Sequence, residues 1–547
     1  MNLRKLFIYQ SHKNNDMEQL DKSSASLENN PGINSYIKNN IKDKNSYTYK
    51  SGRISPNLAE NIEFIRDAFE AVKNFDLVIR EFKVKLSDRF VDAFLIFYDG
   101  LANKEYINRD ILNPLMTQGA DTMPQGSSLE EIIYQCMLSQ APNSKIREMQ
   151  TIIELVGFGN CAVFVDGCTC AFVADIKGWS ARSVGKPISE AVLSGPQEAF
   201  CETVMTNIAL IRKILKDPNL IAENIPIGTK SKTPCALMYI NGVTNIALVR
   251  EAKRRLTNLD TEYIFSSADV EMLIEESTLF PLPQVLKTER PDRAAAQLAD
   301  GKVIIIVQGS PFVLILPATA SDLAESAEDN YVRIAEANFM RAVRLIGCFL
   351  ALFLPGIFIS VALYHHESIP TDLLFAIEAT REKMPFPIVL ELVIMIMSFE
   401  LIKEASIRVP DPIGSTLGIV GGLILGQSAV SAGIASPLLI IIVSITALGS
   451  FAAPSVSVSR ALSVMQFAFI FLGATAGFTG IALGVFLLSL YLASSRSFGV
   501  PYMSSSEGSD NPFVVSPIWR REKRPSALAP QRSLKQPRIS RKWKGDA

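Results

Sequence analysis

At 547 residues, with 54 basic and 55 acidic side chains, the chain is long enough for several domains and carries almost no net charge. Its three histidines, His12, His365 and His366, leave a soluble zinc or triad enzyme almost nothing to work with. Seven cysteines without an even framework, no secretory signal, no G-x-x-x-x-G-K-[ST] loop and no G-x-G-x-x-G after a strand complete the exclusions. The reading is a non-enzymatic protein without a cofactor or metal, whose N-terminal half stays in the cytoplasm.

Charge crowds positions 1–345, is absent from 412–459 and returns in a basic tail. Positions 1–55, rich in Asn, Lys and Ser, cannot bury enough apolar surface to offset ordering, and read as a disordered arm. Apolar spacing then predicts a helix over 57–73 and strands over 76–84 and 92–100. An internal repeat follows. The strand ending at Gly100 resembles the one ending at Gly242, 142 residues on. The apolar runs around Asp166-Gly167 recur around Gln308-Gly309 at the same spacing, and 78–84 matches 221–227 at 143. This argues for two similar α/β subdomains in tandem, over 56–180 and 181–320, each running strand, strand, helices and a hairpin. The glycines sit where a two-residue turn needs positive φ. Cys161, Cys168 and Cys170 are the one cysteine cluster and read as small apolar residues of a buried strand pair. A long amphipathic helix, interrupted near Gly195-Pro196, is expected over 188–216, and a basic one over 244–259. No aromatic or glycine-rich motif accompanies the basic face, so it reads as solvated or membrane-facing, with no nucleic-acid partner.

A connector over 321–340 leads to the membrane half, 341–495. Arg341 and Arg344 precede twenty uncharged residues, 345–364, one span with Pro355-Gly356 as its expected kink. After a polar connection over 365–384 comes a helix within 385–412 that carries Glu391, Glu400, Lys403 and Glu404. A carboxylate at mid-bilayer is costly, so this helix either lies among protein and water or does not cross. Two uncharged spans then fit 412–459, and 35 uncharged residues follow Arg460. Gly414, Gly418, Gly422 and Gly426 recur at i+4, as do Gly473/Gly477 and Gly480/Gly484, giving faces for close helix packing. The tail, 496–547, holds eleven Lys/Arg against four Asp/Glu and should be cytoplasmic. An even number of crossings follows. Four crossings plus one partly embedded helix is the favoured solution; six, with 461–495 folding back at 473–480, is the other.

Helical phase separates the carboxylates. Glu391 and Glu400 are about 180° apart, whereas Glu400 and Glu404 share a face with Lys403 beside them and Arg408 at i+4 from Glu404. A neutralised cluster at the membrane boundary and a helix polar on two sides, beside an aqueous path, both remain open. Glu391, Glu400 and Glu404 are the candidates for an ion pathway or gate.

TERPDRAAAQLADGKVIIIVQGSPFVLILPAT (288–319), AEDNYVR (327–333), YHHESIPTDLL (364–374), REKMPFPIVLELV (381–393), FELIKEASIRVPDPIG (399–414), IVGGLILGQSAVSAGIASP (419–437) and SFGVPY (497–502) follow in order. Together they resemble the A subunits of GerA-type spore germinant receptors. The resemblance implies an α/β cytoplasmic domain of two tandem similar subdomains followed by an α-helical multi-span membrane domain, in the spore inner membrane. It implies nutrient sensing, a transporter-like B subunit and a lipoprotein C subunit as partners, contact with membrane lipids, and assembly of a homo-oligomeric ion channel. Recognition of the small-molecule nutrient would fall to the B subunit, the cleft between the A subdomains, or both. Tyr491 stands where the family often has histidine, and Gln466 where a basic residue often precedes the phenylalanine. A transporter component, or an A-like protein that senses no nutrient, is the alternative.

Overall fold

The computed structural model describes residues 52–86, 89–118, 128–134, 143–178, 185–187, 189–278, 281–382, 384–408, 426–504, 514 and 523–535. The N-terminal arm up to residue 51, and Gly414, Gly418 and Gly422, lie outside the described residues.

The first sheet begins after helix α1 (Leu58–Ala68), shorter than the helix expected there, with β1 (Leu77–Lys85) and β2 (Phe90–Tyr98). It continues through β3 (Asn143–Ile146), helix α2 (Met149–Gly157), β4 (Cys161–Val165) and β5 (Ala171–Ala174), in the antiparallel order β1-β2-β4-β5-β3. After α3 (Val204–Ile214), the same plan is repeated by β6 (Leu220–Asn224), β7 (Cys235–Ile240), α4 (Ile246–Thr257), α5 (Ser267–Ile274), β8 (Leu286–Thr288), α6 (Pro291–Ala299), β9 (Val303–Val307) and β10 (Val313–Leu316). Its order is β6-β7-β9-β10-β8. Registers repeat as well: Ile146 faces Ala171, and Thr288 faces Val313, both partners being 142 residues on.

Alternation sends successive residues to opposite faces. Val163 and Phe172 pack with Ile107 and Ile111 on one side, and Phe94, Ile96 and Phe164 pack with Ile65 and Ile152 on the other. Strands covered on both faces read as unbroken apolar runs, which is why CAVFV and VIIIV stand out. Gly167 and Gly309 are left-handed at φ +81° and +88°. Their connections are five residues long, 166–170 and 308–312, where two-residue turns were expected.

The expected helix over 188–216 is helical only at Val204–Ile214. Upstream, Ser189 N and Glu190 N donate to Glu289 Oε1 at 2.5 and 2.8 Å, and Phe200 N donates to the Glu289 carbonyl at 2.8 Å. These amides are held by the edge of the second sheet, and Pro196 both lacks a donor and disfavours helix before it. The basic α4 is partly neutralised by its neighbours, Lys253 to Glu223 at 2.5 Å and Arg255 to Glu251 at 2.8 Å.

The helical half comprises α7 (Ala320–Ala324), α8 (Ile334–Tyr364), α9 (Thr371–Arg381), α10 (Ile388–Arg408), α11 (Pro437–Phe451) and α12 (Val456–Ser494). Of the described helices, α8 and α12 are long and apolar enough to cross a membrane. α8 runs continuously through Pro355. α9 occupies a stretch expected to be only a polar connection. α12 is two helices joined at Gly477, where φ is +59° and ψ −142°. A Cβ on Gly480 would run into the Leu472 carbonyl, and one on Gly484 would lie 2.8 Å from the Phe469 ring. Contacts eight and fifteen residues apart require the chain to double back, so 456–494 is a hairpin. Its turn meets the end of α8: Tyr364 Oη donates to Ala474 O at 2.8 Å, and the His365 ring stacks on Phe478 at 4.6 Å. Its two open ends, Val458 and Leu492, share one cavity with Arg344 and Tyr502.

α10 runs the length of this bundle. Ile388 lies by Ala362 and Leu438 at the end where α8 finishes, and Lys403 lies by Phe451 at the other. Residues 456–494 therefore fold back, and α10 packs along the whole length of the bundle. The chain then returns to the second subdomain. Ser497 Oγ donates to Gln284 O at 2.7 Å, Tyr502 Oη to Pro283 O at 2.9 Å, and Arg524 Nε to Ala299 O at 2.9 Å. The described part of the basic tail and the α/β half thus share one end of the bundle.

Candidate functional site

The three candidate carboxylates fall into three environments. Leu390, Ile394, Met397 and Leu401 form the outward stripe of α10, and Glu404 extends it. Glu391 lies on the opposite side, 2% exposed. Its carboxylate accepts the Ser436 N–H, while Ser436 Oγ accepts the Leu439 N–H at 3.3 Å. Glu391 is therefore a buried acceptor at the N-terminus of α11, where amides lack partners within the helix.

Glu400 is part-buried, its side chain 31% exposed, on the side of α10 that meets α11 and α12. Its Oε1 accepts from Lys403 Nζ at 3.1 Å and from Ser463 Oγ at 2.9 Å. Lys403 Nζ also lies 3.3 Å from Ser450 Oγ and 5.4 Å from the centre of the Phe451 ring. The boundary cluster expected from sequence thus includes a knot joining α10, α11 and the outgoing arm of α12, and Glu404 is exposed. The expected partner of Glu404, Arg408, has a side chain outside the described ones. Gln466, 3% exposed, lines with Glu400, Thr446 and Ser450 a cavity of about 10 Å³, room for about one water molecule.

Of the glycines, Gly473 lets α8 approach closely: a Cβ there would stand 2.6 Å from the Gly356 carbonyl. Gly426 has Ile440 at 3.7 Å from the same position. Gly477, expected on a packing face, makes the hairpin turn instead. A further close approach, Gly347 against Gly449, was not foreseen; a Cβ on Gly347 would be 3.2 Å from Gly449 O.

Between the subdomains lies a cleft of about 480 Å³, formed by Asp99 to Glu105 and Gly178 on one side and α3 on the other. Both signs of charge line it, with Lys104 2.9 Å from Asp99 and Lys213 2.6 Å from Glu198. Thr206 and Asn103 add uncharged polar groups. Across the base of the interface, Arg212 of α3 grips Asp76 at 2.5 and 2.8 Å, both buried, and donates to Asn74 Oδ1 at 3.1 Å and Leu220 O at 2.9 Å.

Cys161, Cys168 and Cys170 are buried and free. Burial pushes the Cys168 thiol up to about 12 and the Cys170 thiol up to about 11, so both stay protonated at neutral pH. Among the described residues no cluster of His, Cys, Asp and Glu is placed to hold a metal.

The 288–293 stretch, Thr288 to Arg293, is explained by what it holds. Arg290 Nη2 donates to Pro196 O at 2.9 Å, and Arg293 pairs with Glu190 at 2.5 Å while donating to Asp322 O and Glu325 O at 3.2 Å. Tyr331 Oη donates to Asp292. Two residues before Tyr331, Asp329 takes Arg344 at 2.5 Å and Arg341 at 3.5 Å, both from the start of α8. The linker from the first subdomain and the root of α8 are fastened to one point.

The sequence has counterparts among known proteins. The chain is 36% identical to spore germination protein KA of Bacillus subtilis (strain 168), over 88% of its own length and 89% of that protein's. It is 33% identical to spore germination protein GerLA of Bacillus cereus, over 82% and 89%. The crystal structure of the N-terminal domain of the A subunit of the Bacillus megaterium spore germinant receptor GerK3 aligns with 49% of this chain and 96% of that one. That alignment has 26% identity and a TM-score of 0.36, too loose a superposition to carry an argument. Residues 63–527 match the model of the Bacillus/Clostridium GerA spore germination proteins, and the chain belongs to that family.

Proposed function

We propose that this chain is the A subunit of a nutrient-responsive spore germination receptor, held in the spore inner membrane by a bundle that crosses it six times. Its α/β half and tail face the cytoplasm. It works with a transporter-like B subunit and a lipoprotein C subunit, and assembles with copies of itself into a gated ion channel. The observation that carries the reading is the fastening of both subdomains and of α8 around Thr288 to Arg293. A shift between the subdomains moves residues 190 to 196, and the same arginines hold 322 to 325, next to the Asp329 clamp on α8. The cleft above Arg212, with its paired charges of both signs, suits a small polar nutrient, and closing on one would turn the subdomains about that ion pair.

Replacing Asp329 by Ala releases Arg341 and Arg344 at the root of α8 and leaves the residues of the cleft in place. Spores carrying the variant should retain the protein in the membrane yet lose nutrient-triggered release of monovalent cations. Unchanged release at an unchanged nutrient threshold sinks the coupling. Spores deleted for the chain that still respond to every nutrient as the parent does sink the receptor assignment. Single Glu391→Gln and Glu400→Gln variants, read by the same release, decide whether either carboxylate serves the ion path; no change in either removes both.

A further inference from the structure

We infer that Glu400, Ser450 and Ser463 form a monovalent-cation site inside the helical bundle, filled in this conformation by the chain's own Lys403 ammonium. Three oxygens from three different helices surround Nζ: Glu400 Oε1 at 3.1 Å, Ser450 Oγ at 3.3 Å and Ser463 Oγ at 3.5 Å. The Phe451 ring closes a fourth side at 5.4 Å, within the range where a cation is attracted to an aromatic face. One carboxylate and two hydroxyls give the cage a single negative charge, which one monovalent cation neutralises and a divalent ion would overshoot. Hard cations take oxygen ligands of this kind.

Gln466 supplies the second observation. It is 3% exposed and lines the small cavity beside Glu400 together with Thr446. That space admits one water, placed to complete the coordination of an ion in the cage. As a structural link alone the knot adds little, because a part-exposed pair three residues apart on one helix contributes little to stability. As a tethered plug it keeps free cations out of the bundle interior for as long as α10 holds its position against α11 and α12.

The test uses the full chain in lipid nanodiscs and reads thermal unfolding in potassium, ammonium or choline chloride at equal ionic strength. Lys403→Ala empties the cage. Its unfolding midpoint should be depressed in choline and rise with the logarithm of potassium or ammonium concentration, as binding linkage requires. Wild-type protein and the Glu400→Gln/Lys403→Ala pair should respond equally to all three salts. A Lys403→Ala midpoint that is the same in choline and potassium overturns the inference, and so does a potassium response retained in the double variant. Lys403→Gln, closer in length to lysine, is the second variant should alanine not fold. Failure of both to fold in potassium, while the double variant folds, also counts against the site. The readout is binding and not conduction, so a negative result leaves the receptor reading standing, and a loss of ion release leaves this one.

Discussion

Asp76 and Arg212 join the two subdomains through an ion pair from which water is excluded: their side chains are 0% and 3% exposed. Arg212→Met keeps most of the volume but strands the Asp76 carboxylate and removes the donors to Asn74 and Leu220. Breaking a buried pair from one side costs about 3–5 kcal/mol. At roughly 2–4 °C per kcal/mol for a unit of this size, the first unfolding transition of the full chain in detergent should fall by roughly 6–20 °C. Asp76→Ala should do comparable damage, since it leaves a buried guanidinium. The double variant should recover most of it, because neither charge is then left alone, giving a coupling of several kcal/mol in the cycle. The exposed pair Arg66–Glu81, at 3.1 Å, is the control and should cost no more than about 1 kcal/mol. A loss in Arg212→Met as small as in that control, or strictly additive singles, refutes the claim that this pair holds the subdomains together.

Gly477→Ala forces a side chain into a left-handed backbone and places its Cβ 3.2 Å from His365 Nε2, so the hairpin should lose about 1–2 kcal/mol. In the intact protein, single cysteines at Thr479 and Arg496 should be labelled by impermeant reagents from opposite faces of the membrane; labelling from the same face rules out the hairpin. Glu391→Ala should lower stability by about 1–2 kcal/mol through loss of the α11 cap, while Glu391→Gln, still an acceptor, should lose less. Equal losses in the two, read by thermal unfolding, would leave the capping account without support. Burial, helped by nearby Glu271 and opposed by Lys287, pushes the Glu275 carboxyl up to about 7. A carboxyl raised in the fold contributes stability that is complete below its unfolded value near 4.5 and lost as pH rises through about 7. Between pH 5 and 8 the wild-type midpoint should therefore fall relative to Glu275→Gln, and parallel pH curves for the two proteins contradict the assignment.

The duplication was legible because its markers are backbone requirements. Gly100, Gly167, Gly242 and Gly309 all have positive φ, so both copies of the fold retain them at fixed spacing. The edge strands β3 and β8 were not legible. They are four and three residues long, and Asn143, Ser144 and Lys145 offer no alternation to read. The helix over 188–216 failed for a different reason. Its apolar spacing is genuine, but the amides at its start are taken by Glu289, about a hundred residues away, and local sequence carries no sign of that competition.

The helix α10 divides along the same line. Phase arithmetic separated Glu391 from Glu400 correctly, because rotation per residue is a property of the helix itself. Where each carboxylate ends depends on α11 and α12: Glu391 is explained by the amide of Ser436, 45 residues on, and Glu400 by the hydroxyl of Ser463, 63 residues on. The tail's positive charge indicated that it shares a side with the α/β half, and the contacts of Ser497, Tyr502 and Arg524 put it at that end of the bundle. The fold-back within 461–495 was only the second choice from sequence because Gly477 stands at i+4 from Gly473 and looks like a packing glycine. Spacing alone cannot distinguish a glycine that admits a neighbouring backbone from one that reverses the chain, since both need only the missing Cβ. What distinguishes them is ψ of −142° at Gly477 and the approach of Gly480 to Leu472, which no helix face can produce.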